Sequence, residues 1–170
     1  NLPCADNLSG EKCFEKEIHV RYTDTLDKRL MTFRHPTPGM YNIESENEIS
    51  LAPSTATPDN RDKTSSYIGI RQQEYTFRVD IKVEPFDSSF AKAGLLYIHS
   101  DDNYLTLMIS NDGTNQVVIA TKNEKGAITT LGECNLGPVW NTGAKEGITL
   151  SLVGNRRKAS LYANDVLVAN

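Results

Sequence analysis

Carboxylates come in close pairs along this chain, the arrangement that acid–base chemistry or an oxygen-ligated cation would need. Asp24 and Asp27, Asp59 and Asp62, and Asp101 and Asp102 are such pairs, and Glu44, Glu46 and Glu48 stand at every second position. All lie among turn-forming or polar neighbours. None sits in an apolar run that would raise its pKa, so they read as solvated turn residues rather than as an acid and a base. The oxygen-rich turn at Asp101-Asp102-Asn103, with Asn111-Asp112 further on, could contribute ligands to a calcium ion, although no EF-hand spacing is present. His19, His35 and His99 are far apart, and no Gly-x-Ser-x-Gly surrounds a serine, so a nucleophilic triad has no support. A second set offers binding rather than bond-breaking chemistry. Tyr97, His99, Tyr104 and Trp140, with Arg71 and Gln72, supply aromatic faces and planar polar groups, which stack on the apolar faces of sugar rings and hydrogen-bond their hydroxyls. Tyr97 and His99 share one side of a strand, and Tyr104 follows just beyond the Asp101-Asp102-Asn103 turn, so the three are expected near one another. Each also has a plain structural reading: Tyr75, Tyr97 and Tyr104 can fill a core, and Arg71 can hold an ion pair. Trp140, in a Gly-, Pro- and Asn-rich loop over 135–144, is the aromatic least tied to a core.

The elements that must carry these groups are strands. Tyr75, Phe77, Val79, Ile81 and Val83 alternate with Thr76, Arg78, Asp80 and Lys82, which gives one buried and one wet face. Residues 93–98 are apolar on both faces and read as a strand inside the sheet stack rather than at its rim. Leu105, Leu107 and Ile109 then oppose Tyr104, Thr106 and Met108. Earlier in the chain, strands are expected over 18–22, 31–33, 41–43 and 48–51, with a polar turn over 24–29. Residues 52–66 form a long loop with Pro53 and Pro58, the expected place for contact with a partner surface. Later strands are expected over 116–121, 127–131, 147–153, 158–162 and 166–168. The turns between them are Asn111-Asp112-Gly113, Asn123-Glu124-Lys125-Gly126, Gly154-Asn155-Arg156-Arg157 and Ala163-Asn164-Asp165. Eleven or twelve short strands at regular spacing, without a helical pattern, predict an all-β sandwich or barrel.

The chain of 170 residues is one domain by size and long enough for a core. A net charge of −4 gives no electrostatic case for nucleic acid or an anionic membrane, and no apolar run approaches the length of a membrane span. Of the three cysteines, Cys4 and Cys13 can close a short loop, leaving Cys134 unpaired. A metal site is disfavoured because four ligands at the right spacing are missing. The expected Cys4–Cys13 disulfide and the Asn7-Leu8-Ser9 glycosylation sequon both point to a secreted protein. The chain begins at Asn1 rather than Met, which reads as a processed or excised product. Residues 1–17 read as an irregular arm, and 18–170 as the β-sandwich module.

A family resemblance accompanies these patterns. Ile68-Gly69-x-Arg71-Gln72, the strand after it, Ala93-Gly94-Leu95 and Asp101-Asp102-Asn103-Tyr104 resemble the C-terminal β-sandwich of family 43 glycoside hydrolases, the β-xylosidases and α-L-arabinofuranosidases. Asp24-Thr25-Leu26-Asp27-Lys28-Arg29-Leu30-Met31-Thr32-Phe33-Arg34-His35-Pro36 is similar to the segment that opens that sandwich. The resemblance implies a concanavalin A-like jelly roll of two antiparallel sheets. It implies an accessory role without catalysis, because the family's catalytic carboxylates lie on a separate β-propeller that this sequence does not resemble. The implied partners are that propeller, as a domain or chain, and a plant polysaccharide such as xylan. Three departures stand out. Ile70 replaces the first of two arginines before the glutamine, Leu30 replaces a tryptophan, and the loop over 52–66 lacks the aromatic that in bacterial relatives reaches the catalytic pocket. The family's sandwich also continues beyond the equivalent of 166–168, so the sequence reads either as a fragment or as one whose closing strand another chain supplies. The rival readings are a laminin-G-like structural or adhesive domain and a glycan-cleaving enzyme on the sandwich itself. The Glu-x-Asp-x-x-Glu pattern of such glucanases does not occur here.

Overall fold

A computed structural model describes residues 21–22, 25–32, 34, 36–58, 60, 65–84, 91–111, 115–137 and 147–170. Every regular element among them is a strand. Cys4, Cys13, Asn7 and Trp140 lie outside the described residues, as does Asp112. Cys134 is a free, half-buried thiol. No described helix is long and apolar enough to cross a membrane. Two compact units divide the chain, Lys12–Gln73 and the unit containing Glu74–Asn170.

The smaller unit is built from paired ribbons. Arg21–Tyr22 (β1) pairs with Thr25–Leu26 (β2), Leu30–Thr32 (β3) with Ile68–Ile70 (β6), and Tyr41–Ser45 (β4) with Glu48–Leu51 (β5), all antiparallel. The polar turn expected over 24–29 is shorter than the sequence implies, because Thr25 and Leu26 fold back onto Tyr22 and Arg21 as ladder rungs. Two described carbonyls of the loop after β5 are held by one side chain. Arg34 takes a positive φ of 67° and donates from its guanidinium to the Pro58 carbonyl at 3.0 Å and to the Asn60 carbonyl. One bidentate donor thereby satisfies two loop carbonyls that no ladder reaches. Tyr67 turns its ring over Gly69, where a Cβ would collide with the phenol.

The larger unit is a sandwich. Lys92–Ser100 (β8), Asn103–Asn111 (β9), Gln116–Glu124 (β10) and Ala127–Gly137 (β11) form one antiparallel sheet in sequence order. Thr76–Val83 (β7), Ile148–Asn155 (β12), Lys158–Ala163 (β13) and Val166–Ala169 (β14) form the other, in the order β14-β13-β12-β7. Leu107, Ile109, Val118 and Ala120 from the first sheet meet Ile148, Leu150, Leu152, Leu161, Ala163 and Ala169 from the second in one core, with Phe77, Ile81, Leu95 and Cys134 at its margin. The period-2 alternation of these strands is what presents one apolar face per sheet, and burying those two faces against each other drives the fold. Shortening one fully buried leucine, such as Leu150, costs about 2–5 kcal/mol.

Several expectations need correction. β8 is not interior: among the described residues it pairs only with β9. Its two apolar faces report cover above and below, Leu95 against the core and Leu96 half-buried on the other face, and not its lateral place. Asn123 and Glu124 are strand, not turn. Lys125 and Gly126 both take positive φ, 53° and 85°, and so make a two-residue turn of the type that matches strand twist. The Asn123 side chain then accepts the Gly126 N–H at 3.0 Å. β11 runs through Asn135 and Leu136, which were expected in a loop. Its Glu-Cys-Asn-rich end has little strand propensity, but β10 supplies a ladder, and register shifts at Ala120/Thr121 and Gln116/Val117 absorb the extra residues. Within β11, Gly132 is required by close approach. A Cβ there would strike the Val168 carbonyl oxygen of β14, so the edge strands of the two sheets lie against each other.

Candidate functional site

Among the described residues, the exposed aromatic side chains of the larger unit, Tyr75 and Tyr97, lie towards one end of it. β7 starts there, and the β8–β9, β10–β11 and β12–β13 hairpins turn there. Phe77, the second residue of β7, stacks on Tyr97, late in β8, with ring centroids 5.8 Å apart and planes 27° apart. The Phe77 ring lies across Gly154, its partner on β12, where any side chain would collide with it. Glycine on one strand thus makes room for the stack, and the stack bridges the two sheets at their β7/β8 edge. Tyr97 keeps 37% of its surface in solvent.

Tyr75 precedes this pair. The alternation of the sequence assigns it to the buried face with Phe77, but it is 81% exposed. The reason is position: it stands one residue before β7 begins, where the opposite sheet no longer covers it. Its backbone is nonetheless fixed. The Tyr75 carbonyl accepts the Arg156 N–H at 2.7 Å, one step beyond the Thr76–Asn155 rung. Arg156 turns the chain with a φ of 56°. At the neighbouring tips, the Lys125 N–H donates to the Asp102 carbonyl at 2.7 Å and ties the β8–β9 and β10–β11 turns together. An exposed aromatic ring on an anchored backbone can stack on a flat apolar ligand face without the backbone having to be ordered on binding.

The residues expected to act together are distributed as follows. Tyr97 and Tyr104 do not share a face. Tyr97 pairs with Leu105 while Tyr104 pairs with Ile98, so the pleat turns their side chains to opposite sides. The expected proximity of Tyr104 to Tyr97 is therefore corrected. Tyr104 is 7% exposed, and its phenol oxygen receives the Asn123 Nδ2 hydrogen at 3.0 Å in a buried pair. His99 is exposed at a register shift between Ile98 and Ser100. Arg71 is exposed and Gln72 half-buried, in the segment that follows β6 in the smaller unit.

Asp101 and Asp102 lie on the β8–β9 turn. One oxygen of the Asp102 carboxylate, Oδ1, accepts both the Ser100 hydroxyl at 2.8 Å and the Asn103 amide at 3.0 Å, which are turn-forming bonds. Among the described residues, no three His, Cys, Asp or Glu side chains converge as cation ligands. Glu124, on the neighbouring hairpin, is held below the usual carboxylate range by the hydrogen bond and charge of Lys122, 2.7 Å away. A general acid requires the opposite shift.

The outer face of the second sheet carries a polar network. Arg78 donates from Nε to Asp80 at 2.8 Å, reaches the fully buried Ser151 hydroxyl at 3.2 Å and stands 3.5 Å from Asp165. Two carboxylates neutralise one guanidinium here, so this face is polar without excess positive charge. Sequence reasoning missed Tyr75 and the Arg156 turn as site residues. The Gly154-Asn155-Arg156-Arg157 turn was legible as a turn, but the pairing of β12 with β7 that sets it opposite Tyr75 comes only from the structure.

The family described as "Beta xylosidase C-terminal Concanavalin A-like domain" matches residues 22–163. No curated protein sequence matches the chain. Among solved structures, the chain is similar to a GH43_12 protein retrieved from capybara gut metagenome, with a TM-score of 0.73, 17% identity, and cover of 85% of this chain and 28% of that one. It is also similar to the GH43 protein BlXynB, mutant K247S, from Bacillus licheniformis, with a TM-score of 0.71, 18% identity, and cover of 86% and 28%. The chain therefore spans just over a quarter of the length of these solved chains.

Proposed function

Because the chain belongs to the β-xylosidase C-terminal concanavalin A-like domain family, and is an accessory sandwich domain of the glycoside hydrolase family 43 type, we propose that it serves a secreted, xylan-degrading hydrolase without performing catalysis. Its roles in this reading are to pack on a catalytic domain of the same polypeptide and to hold xylan or a related plant polysaccharide. The observation that carries the glycan half is the exposed, backbone-anchored Tyr75 beside the Phe77–Tyr97 stack. The solved GH43 relatives, more than three times as long, support a catalytic partner. The test is affinity electrophoresis of the chain through gels containing xylan, arabinoxylan or cellulose. Retardation on xylan is expected. Tyr75→Ala should weaken it about fivefold, since one lost stacking ring is worth on the order of 1 kcal/mol. Trp140→Ala tests the remaining aromatic of the expected set. Unretarded migration in all three gels would sink the glycan-holding role.

A second reading, a protein-contact domain, is favoured by the exposed apolar side chains of the two edge strands, Ile128 and Leu131 on β11 and Val166 and Leu167 on β14. It predicts self-association or a stable partner, and light scattering after size exclusion separates the two readings.

A further inference from the structure

The β12–β13 hairpin tip is the part of this end that the reading above leaves unused. Arg156, Arg157 and Lys158 follow one another there, and all three are exposed. Three other cations of the same unit are already paired, Arg78 with Asp80, Lys82 with Glu84 and Lys122 with Glu124, while Lys92 and Lys125 stand singly on other strands and tips. None of the three tip cations makes a side-chain hydrogen bond or ion pair among the described residues. The chain as a whole carries −4, so this is a local inversion of charge. It is also fixed in place, since the Arg156 N–H is bonded to the Tyr75 carbonyl. The most exposed tyrosine of the unit therefore stands across the ladder from Arg156, the first of three consecutive cations on the tip.

We infer that this tip is a subsite for an acid-substituted xylan-type glycan: a sugar ring lies on Tyr75 while the carboxylate of a uronic acid branch is received by Arg156, Arg157 and Lys158. The inference rests on the glycan-holding reading proposed above and names the class of glycan. A guanidinium presents paired donors that match a planar carboxylate, and a neighbouring lysine adds charge without demanding geometry. A single carboxylate beside a stacked ring fits three cations on one tip better than a polyphosphate chain does, because a nucleic acid would need a positive stripe and this chain is acidic overall. The carboxylates nearest in the fold are Glu74, beside Tyr75, and Asp101, Asp102 and Glu124 on the neighbouring hairpins, of which Glu124 is already held by Lys122.

Titration calorimetry of the chain with neutral xylo-oligosaccharides and with the same oligosaccharides bearing a methylglucuronic acid branch tests this. The branched acid should bind roughly three- to fivefold more tightly at low salt. That advantage should vanish at high salt and in the Arg157→Gln/Lys158→Gln variant, whose melting temperature should match the parent's. Arg156→Asn, which tolerates the positive φ, should halve the advantage or more. Tyr75→Ala should weaken both ligands alike. Equal affinity for the two ligands, with the variants unchanged, would overturn the inference and leave the glycan-holding reading standing. Binding of neither ligand would defeat that reading and this one together. Single-stranded DNA binding as tightly as the branched acid would also overturn it, by showing a surface for polyanions in general.

Discussion

Tyr97 and Tyr104 leave one hairpin in opposite directions, and the difference decides what each can do. Tyr104 is a structural phenol whose oxygen is paired with Asn123 in a buried setting. Asn123→Ala should cost about 1–3 kcal/mol, because it leaves a buried hydroxyl without its donor and strips the Gly126 N–H of its acceptor. Tyr104→Phe in the same background should cost less than the sum of the two single changes, and urea denaturation of the four proteins checks the coupling. Tyr67 gives a pH signature in the smaller unit. Burial raises its phenol pKa, so the fold resists forming the phenolate. The contribution is intact below the unfolded value of about 10 and is lost as pH rises through the higher folded pKa. Alkaline stability curves should therefore fall later and less steeply for Tyr67→Phe, and phenolate absorbance should show one tyrosine titrating late in the parent. At this scale the sequence was only half informative. Residue types marked Tyr97, His99 and Tyr104 as aromatic or planar, but the face on which each stands follows from pairing register, which no local pattern specifies. Tyr75 shows the same limit: its parity is that of Phe77, while its exposure depends on where the opposing sheet ends.

Among the elements, strand existence was legible and strand extent was not. Alternation located β7, β9, β12 and β13 closely, because their hydrophobic faces repeat without interruption. β11 was read too short, since residues 132–135 carry neither alternation nor strand propensity and are held by the ladder to β10. Two-faced apolarity measures cover and not lateral place, so β8, an edge strand under cover, carries the pattern of a central one. The turns make a further prediction. Asn164 and Asp165 both hold positive φ, 45° and 65°, and the Asn164 side chain accepts the Thr149 N–H at 2.9 Å while its own N–H reaches the Thr149 carbonyl. Asn164→Ala should cost about 1–2 kcal/mol from strain and the lost bond, and Asn164→Gly should recover part of it, as thermal melts would show.

For the molecule as a whole, the larger unit depends on one core shared by two sheets, which is why its class was readable from spacing alone. Which residues of its surface meet a ligand was not, because the candidate end is assembled from the start of β7 and three hairpin tips far apart in sequence. Leu150→Ala should lower the stability of this unit by about 2–5 kcal/mol without altering affinity for glycan, a separation that calorimetric melting and gel retardation together can verify. The contact between Gly132 and the Val168 carbonyl has a consequence for motion. A strand at a sheet margin ordinarily frays, and its amides trade hydrogen with solvent quickly. Here the bare glycine lets β14 settle against the neighbouring sheet, so the Ala169 amide, paired with Leu161, should exchange at the slow pace of the interior. Gly132→Ala, by pushing that carbonyl away, should quicken exchange along β14 first and leave β9 and β10 slow.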